Sequence, residues 1–190
     1  TPSHFNANNS GQVFRQWQKG VSLAAGDIVW IAESDDYADP NFLESLVPFF
    51  ADEGVMLAYA HSVFVDENGN HTSFTFESYL SELGNSKWKG EYAKTAHDEV
   101  CDSLAVKNTI PNVSCAIFRK PGIEIFADEN WLRMNICGDW IFYLNVIRGG
   151  KIAYSNRTNN YYRFHGKNSS VATYSKDIYF QEHEAVACSL

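Results

Sequence analysis

The stretch Ile28-Val29-Trp30-Ile31-Ala32-Glu33-Ser34-Asp35-Asp36 decides how this chain is read. Five apolar residues run without a break and then stop at three carboxylates within four positions. A short, unbroken apolar run is the mark of a strand covered on both faces, as in the sheets of α/β proteins. In an open α/β sheet, ligands bind at the carboxyl ends of the strands. Carboxylates crowded there repel one another and need solvent or a cation close by. Hard ions such as Mg²⁺ or Mn²⁺ accept few protein carboxylates and fill their remaining positions with phosphate oxygens and water. Glu33-x-Asp35 therefore presents two carboxylates to a metal and a diphosphate. The plainer reading is a solvated acidic turn with Asp36 or Asp39 as a cap, and the motif alone leaves both open.

Upstream, Val13, Phe14, Trp17 and Val21 fall at helical spacing, with Ser10 as a cap and Gly26 as a stop. Downstream, Asp39-Pro40 supplies an N-cap and a first-turn proline for a helix to about Phe50. Met56 to Val65 reads as a strand closed by the turn Asp66-Glu67-Asn68-Gly69. From Thr72 to Lys107 the pattern is irregular, with Trp88 and Tyr92 as anchors. Ser114 to Arg119 is a further short strand, and Pro121 opens a helical segment. Gly138 to Arg148 is apolar nearly all round and reads as a buried helix. Gly149-Gly150 stops it, Lys151 to Tyr154 and Asn160 to Phe164 read as two strands, and the tail from Ser175 reads as a helix. Helices alternating with strands imply an α/β sandwich with a largely parallel or mixed sheet.

Composition narrows the functional classes. The 190 residues carry 15 Lys and Arg against 23 Asp and Glu, a formal charge of −8. An acidic chain without basic clusters is a poor match for a nucleic-acid backbone, so no nucleic-acid partner is expected. With 13 Phe, 10 Tyr and 5 Trp there is bulk for a core and a surplus to line a sugar-sized cleft, where Trp88, Trp131 and Tyr92 are candidate platforms. No apolar run is long enough to span a membrane and no signal peptide opens the chain, so a cytoplasmic location is expected. The four cysteines, Cys101, Cys115, Cys137 and Cys188, lack metal or disulfide-framework spacing and read as reduced and buried.

Two further residues could carry chemistry. Asp139 follows Gly138 at the start of the apolar helix, where the dipole favours the charged carboxylate. The same position exposes a carboxylate base at the edge of a cleft. His165 ends the aromatic, basic run Tyr161-Tyr162-Arg163-Phe164 and can ligate a metal or donate to phosphate, with Arg163 and Lys167 as neighbouring cations.

Taken in order, these pieces resemble a family 2 glycosyltransferase of the GT-A fold. The resemblance runs through Gly26-Asp27 and the apolar run to Glu33-Ser34-Asp35-Asp36, then Ile110-Pro111-Asn112-Val113-Ser114, then Gly138-Asp139-Trp140 with Gly150 to Tyr154, and closes at Tyr162-Arg163-Phe164-His165. It implies a partial GT-A, Rossmann-like sandwich with a central mixed, mostly parallel sheet flanked by helices. By that resemblance residues 1–71 form the metal and donor half, and 72–190 the acceptor and catalytic-base half. Asp35 would ligate a divalent metal, Mn²⁺ or Mg²⁺, together with His165, and Glu33, Asp36 and Arg163 would serve the donor side. Asp139 would be the general base in an inverting transfer from a nucleotide-diphosphate sugar to a saccharide or lipid-linked acceptor. Bacterial surface polysaccharide synthesis, at the inner face of the membrane, is the family-level expectation.

The chain departs from the family pattern in two places. Glu33 stands where the family's first Asp does. Only 32 residues precede it, so the strands that hold the nucleotide are expected to be missing. A fragment of a longer, multi-domain transferase that exposes sheet edge and self-associates is the reading that follows. Its rivals are a non-catalytic carbohydrate- or partner-binding fragment and a metal-dependent phosphohydrolase built on the same acidic cluster.

Overall fold

The computed structural model describes residues 11–84, 86–164 and 177–190. Helix α1 (Val13–Leu23) buries Phe14, Trp17 and Val21, the stripe that its spacing marks out. Phe14 meets Trp131 tilted with centroids 5.8 Å apart, and Trp17 meets Phe142 edge-on at 5.5 Å. Ser10, the expected cap, lies outside the described residues.

Strand β1 takes only Ile28–Trp30 of the apolar run, and Ile31-Ala32 lead from it into the acidic turn. It stands at the end of the sheet with Trp30 exposed, so it is not covered on both faces as expected. The sheet runs in the order β1, β5 (Ala116–Arg119), β3 (Val55–Val65), β6 (Lys151–Arg163) and β2 (Tyr37–Ala38), with β4 (Tyr92–Thr95) on the first half of β6. The expected mixed α/β sheet is present, but most of its strand pairs are antiparallel where a mostly parallel sheet is expected. Its parallel content is concentrated in the long central pair β3–β6, and the other pairs are antiparallel. Parallel pairing needs a long crossover, which the chain between Val65 and Lys151 supplies; the short flanking strands carry no such constraint.

Three local differences from the sequence reading have physical causes. Helix α2 covers Phe42–Leu46 and passes into a 3₁₀ turn over Val47–Ala51. Asp39 does not cap it by its side chain: its carboxylate accepts from the Asn159 N–H and Nδ2 and from Tyr161 Oη, tying the segment to β6. The two strands expected between 151 and 164 are one. Ala60 stands opposite Ser155 and His61 opposite Asn159, so Asn156, Arg157 and Thr158 bulge out between two well-registered halves. Trp131 is wholly buried and Trp88 nearly so, the latter donating from Nε1 to Tyr59 Oη at 2.8 Å. Neither indole is a sugar platform, because both are spent on the core.

The short helices α3 (Phe76–Tyr79), α4 (Ala96–Glu99) and α5 (Glu129–Leu132) precede the longer α6 (Gly138–Ile147). Both faces of the sheet are covered. One side gathers Leu57, Tyr59, Phe118 and Tyr154 in one cluster with residues of α1 and α6, and the other sets Ala58, Ala60, Ile117 and Ala153 against Phe42, Leu46 and Phe50. Leu57 and Tyr59 alternating with Ala58 and Ala60 is the period-2 pattern of a strand buried on both faces. The small residues on the second side let α2 approach closely. Helix α6 is buried along nearly its whole surface, as its composition requires. At its start a Cβ on Gly138 would lie 2.3 Å from a ring carbon of Phe14, so only glycine fits. Gly149, at φ +75°, turns the chain into β6. The last described helix, α7, covers Asp177–Ala187.

Candidate active site

The acidic turn is fixed from three directions. The Asp36 N–H donates to the Glu33 carbonyl at 3.3 Å, closing the turn. The Glu33 N–H donates to Ser114 Oγ at 3.0 Å, and Trp30 Nε1 donates to the Ser114 carbonyl at 2.9 Å. Asp36 accepts from Asn112 Nδ2 at 2.6 Å on one oxygen and from the Arg163 N–H at 3.0 Å on the other. Burial raises the Asp36 pKa, opposed by those donors and by Ser114. Arg163 spreads its guanidinium over the carbonyls of Asp35 (2.8 Å), Asp66 (3.2 Å) and Glu67 (2.8 Å). One arginine thus joins the acidic turn to the turn after β3, a fork that a lysine could not reproduce.

Glu33 is half-buried, and burial first, then Asp36, Asp35 and Asp139, pushes its pKa up to about 7. A cation near the turn would relieve that repulsion. Asp35 is exposed.

Asp139 sits in the first turn of α6. Its Oδ1 accepts from the Trp140 N–H at 2.7 Å and its Oδ2 from Asn108 Nδ2 at 3.1 Å. Asn108 is itself held, its Oδ1 accepting from the Ile110 N–H and its carbonyl accepting from Tyr79 Oη at 2.6 Å. Burial pushes the Asp139 pKa up to about 7 despite these donors, and the charge of Glu182 adds to the rise. The carboxylate lines a cleft of about 770 Å³ walled by Phe64, Phe74, Trp140, Tyr162 and Phe164. A Lys107–Glu82 ion pair at 3.0 Å also lines this cleft.

The residues singled out in the sequence fall as follows. Glu33, Asp35, Asp36 and Arg163 meet around one turn, and Asp139 comes close enough to raise the pKa of Glu33. His165 lies outside the described residues. Among the described residues no three His, Cys, Asp or Glu side chains form a group that could hold a metal ion. The turn offers oxygen donors alone, which suits a hard ion that draws most of its shell from phosphate and water. Sequence reasoning missed Asn108, Asn112, Ser114 and Glu182. Asn112 and Ser114 lie inside a stretch the sequence did mark, but a lone polar residue carries no periodicity to reveal that it points at a carboxylate.

Comparison with known proteins agrees with this geometry. A family model described as "Glycosyl transferase family 2" matches residues 5–125. The crystal structure of S. aureus TarS 1–349 in complex with UDP-GlcNAc is similar in fold, with a TM-score of 0.65 and 16% sequence identity. The match covers 97% of this chain and 48% of that one, so the chain spans about half the length of that structure. No curated protein sequence matches. The sheet order, the acidic turn at a strand end and the buried helix behind it form a GT-A arrangement.

Proposed function

Because this chain belongs to glycosyl transferase family 2, we propose that it takes part in inverting transfer of a sugar from a nucleotide-diphosphate donor to an acceptor hydroxyl. The observation that carries this reading is Asp139, a carboxylate with a pKa near 7 lining a cleft with aromatic walls. A general base works best when its pKa lies near the working pH. The acceptor oxygen attacks the anomeric carbon opposite the leaving diphosphate and gives its proton to Asp139. As the new C–O bond forms, the bond to the diphosphate breaks and its electron pair leaves with the nucleotide. One displacement inverts the anomeric centre.

On the donor side Glu33 would meet the sugar diphosphate, while Asp36 and Arg163 hold the turn that presents it. Asp35, with His165, would hold Mn²⁺ or Mg²⁺, which when bound neutralises charge on the leaving group. Residues 1–71 would then form the donor half and 72–190 the acceptor half. The neighbouring structure is a complex with UDP-GlcNAc, which supports a nucleotide sugar as donor and makes that compound the first to try. A saccharide or lipid-linked acceptor, a role in bacterial surface polysaccharide assembly and a site at the cytoplasmic face of the membrane complete the proposal. Among the described residues no helix is long and apolar enough to cross a membrane. Further domains of a longer chain and self-association belong to the same reading.

Calorimetric titration with UDP and UDP-GlcNAc, with and without Mn²⁺, tests the donor side. Manganese-dependent binding that disappears in Asp35→Ala is expected; binding of equal strength in that variant would overturn the metal assignment. For the base, an Asp139→Asn protein that transfers sugar as fast as its parent would sink the catalytic role.

A further inference from the structure

Helix α7 reaches the start of α6 through one side chain. Glu182 is 5% exposed, and both of its oxygens are saturated. Oε1 accepts from the Asn135 N–H at 2.7 Å and from Asn135 Nδ2 at 3.3 Å, and Oε2 accepts from the Ile136 and Cys137 N–H groups, each at 2.9 Å. Three successive backbone N–H groups converging on one anion form a nest, and this one lies directly before the first residue of α6. Cys137, the residue that enters α6, makes no side-chain cap of its own. Glu182 therefore does from a distant helix what a capping box does locally. Beside it His183 packs edge-on against Trp140, with centroids 6.0 Å apart, and Tyr179 and His183 line the same cleft as Asp139.

We propose that Glu182 is a positioning residue: its carboxylate gathers the N–H groups of residues 135–137 and thereby sets where Asp139 enters the cleft. The clasp itself stands on the geometry; its importance for transfer rests on Asp139 being the base. Removing it leaves the three N–H groups of residues 135–137 without their acceptor, so the entry of the helix loosens where Asp139 and Trp140 sit. The clasp also acts through charge. The polar and titratable groups around Asp139 are Asn108, the Trp140 N–H, Glu33, Cys137, Tyr143 and Glu182, and Glu82, Lys107, Tyr179 and His183 line the same cleft. Of the three that α7 contributes, Glu182, Tyr179 and His183, Glu182 is the one whose charge raises the Asp139 pKa.

The test is NMR on the whole chain, following the amides of 135–137 and the Asp139 carboxyl carbon. In Glu182→Ala those amides should exchange about tenfold faster or more, as expected for losing a charge-assisted hydrogen bond, and the Asp139 titration midpoint should fall. Glu182→Gln keeps the shape and one acceptor oxygen, so it should restore part of the amide protection while leaving the midpoint lowered. A purely structural role would restore both together. Unchanged exchange and an unchanged midpoint in Glu182→Ala would overturn the proposal. Should the alanine variant fail to fold, an unchanged midpoint in Glu182→Gln does the same. None of these readouts needs turnover, so an Asp139→Asn protein that still transfers sugar would remove the assignment of Asp139 as base and leave this result standing.

Discussion

Asp139 is where two opposing effects on a carboxyl group meet. A helix N-terminus favours the charged form by a few tenths to about 1 kcal/mol when exposed, whereas burial can shift a carboxyl by several units the other way. Burial wins here, and the pKa rises to about 7. The sequence placed Asp139 at the helix start but carried only the first effect, because the aromatic wall that buries it comes from residues scattered between Phe64 and Phe164. If Asp139 is the base, as proposed, a pKa there makes turnover rise with pH up to about 7 and level off above it; a pH–rate profile of the full-length protein checks this. Asp139→Asn should lower turnover by about 10²–10⁴-fold, the usual contribution of a positioned base, with donor affinity unchanged by calorimetry. Stability follows the opposite course. The folded protein holds this proton more tightly than the unfolded chain, whose carboxyl titrates near 4. The native state therefore loses stability as pH rises from about 4 to about 7. Asp139→Asn removes that loss, so above pH 7 it should be more stable than the parent by about 2 kcal/mol, after allowing for one weakened hydrogen bond. Urea unfolding of both proteins at pH 5 and pH 8 should show the gap opening with pH.

At the scale of elements, most helices and strands were legible because their periodicity is local. Phe14, Trp17 and Val21 in α1 and the unbroken apolar face of α6 appear as read. The departures come from contacts with distant partners. Asp39 left its helix for Asn159 and Tyr161, and β6 seemed two strands because its polar middle bulges. Where α6 enters the core, Gly138→Ala should cost about 1–3 kcal/mol through overpacking against Phe14, read as a lowered urea midpoint with little change in slope. The end of β6 makes a different prediction. Arg163→Lys removes the fork that binds the carbonyls of Asp35, Asp66 and Glu67. Manganese-dependent UDP affinity should fall about tenfold, the size of a lost charged hydrogen bond; an unchanged Kd would show that the turn holds itself.

Across the whole molecule, the class of fold followed from the alternation of helix and strand, and the order of strands did not. Pairings such as β1 with β5, or β3 with β6, join residues far apart in the chain and leave no mark on local pattern. The aromatic surplus was visible, but not its division between core and cleft. Trp131 is central to the core, meeting Phe14, Phe126 and Phe142. Trp131→Ala should therefore cost about 3–5 kcal/mol, seen as a large fall in Tm with the residues of the acidic turn untouched. The bulge in β6 bears on how this architecture can change length. Adding one residue within either paired half of β6 would turn every following side chain to the opposite face and carry Arg163 away from Asp35. An added residue beside Asn156 or Arg157, both exposed at the bulge, would leave the two paired halves in register, whereas Thr158 is buried against Asn41. Single-residue insertions in this strand should therefore be tolerated best at that point, where the strand can change length while Arg163 stays beside Asp35.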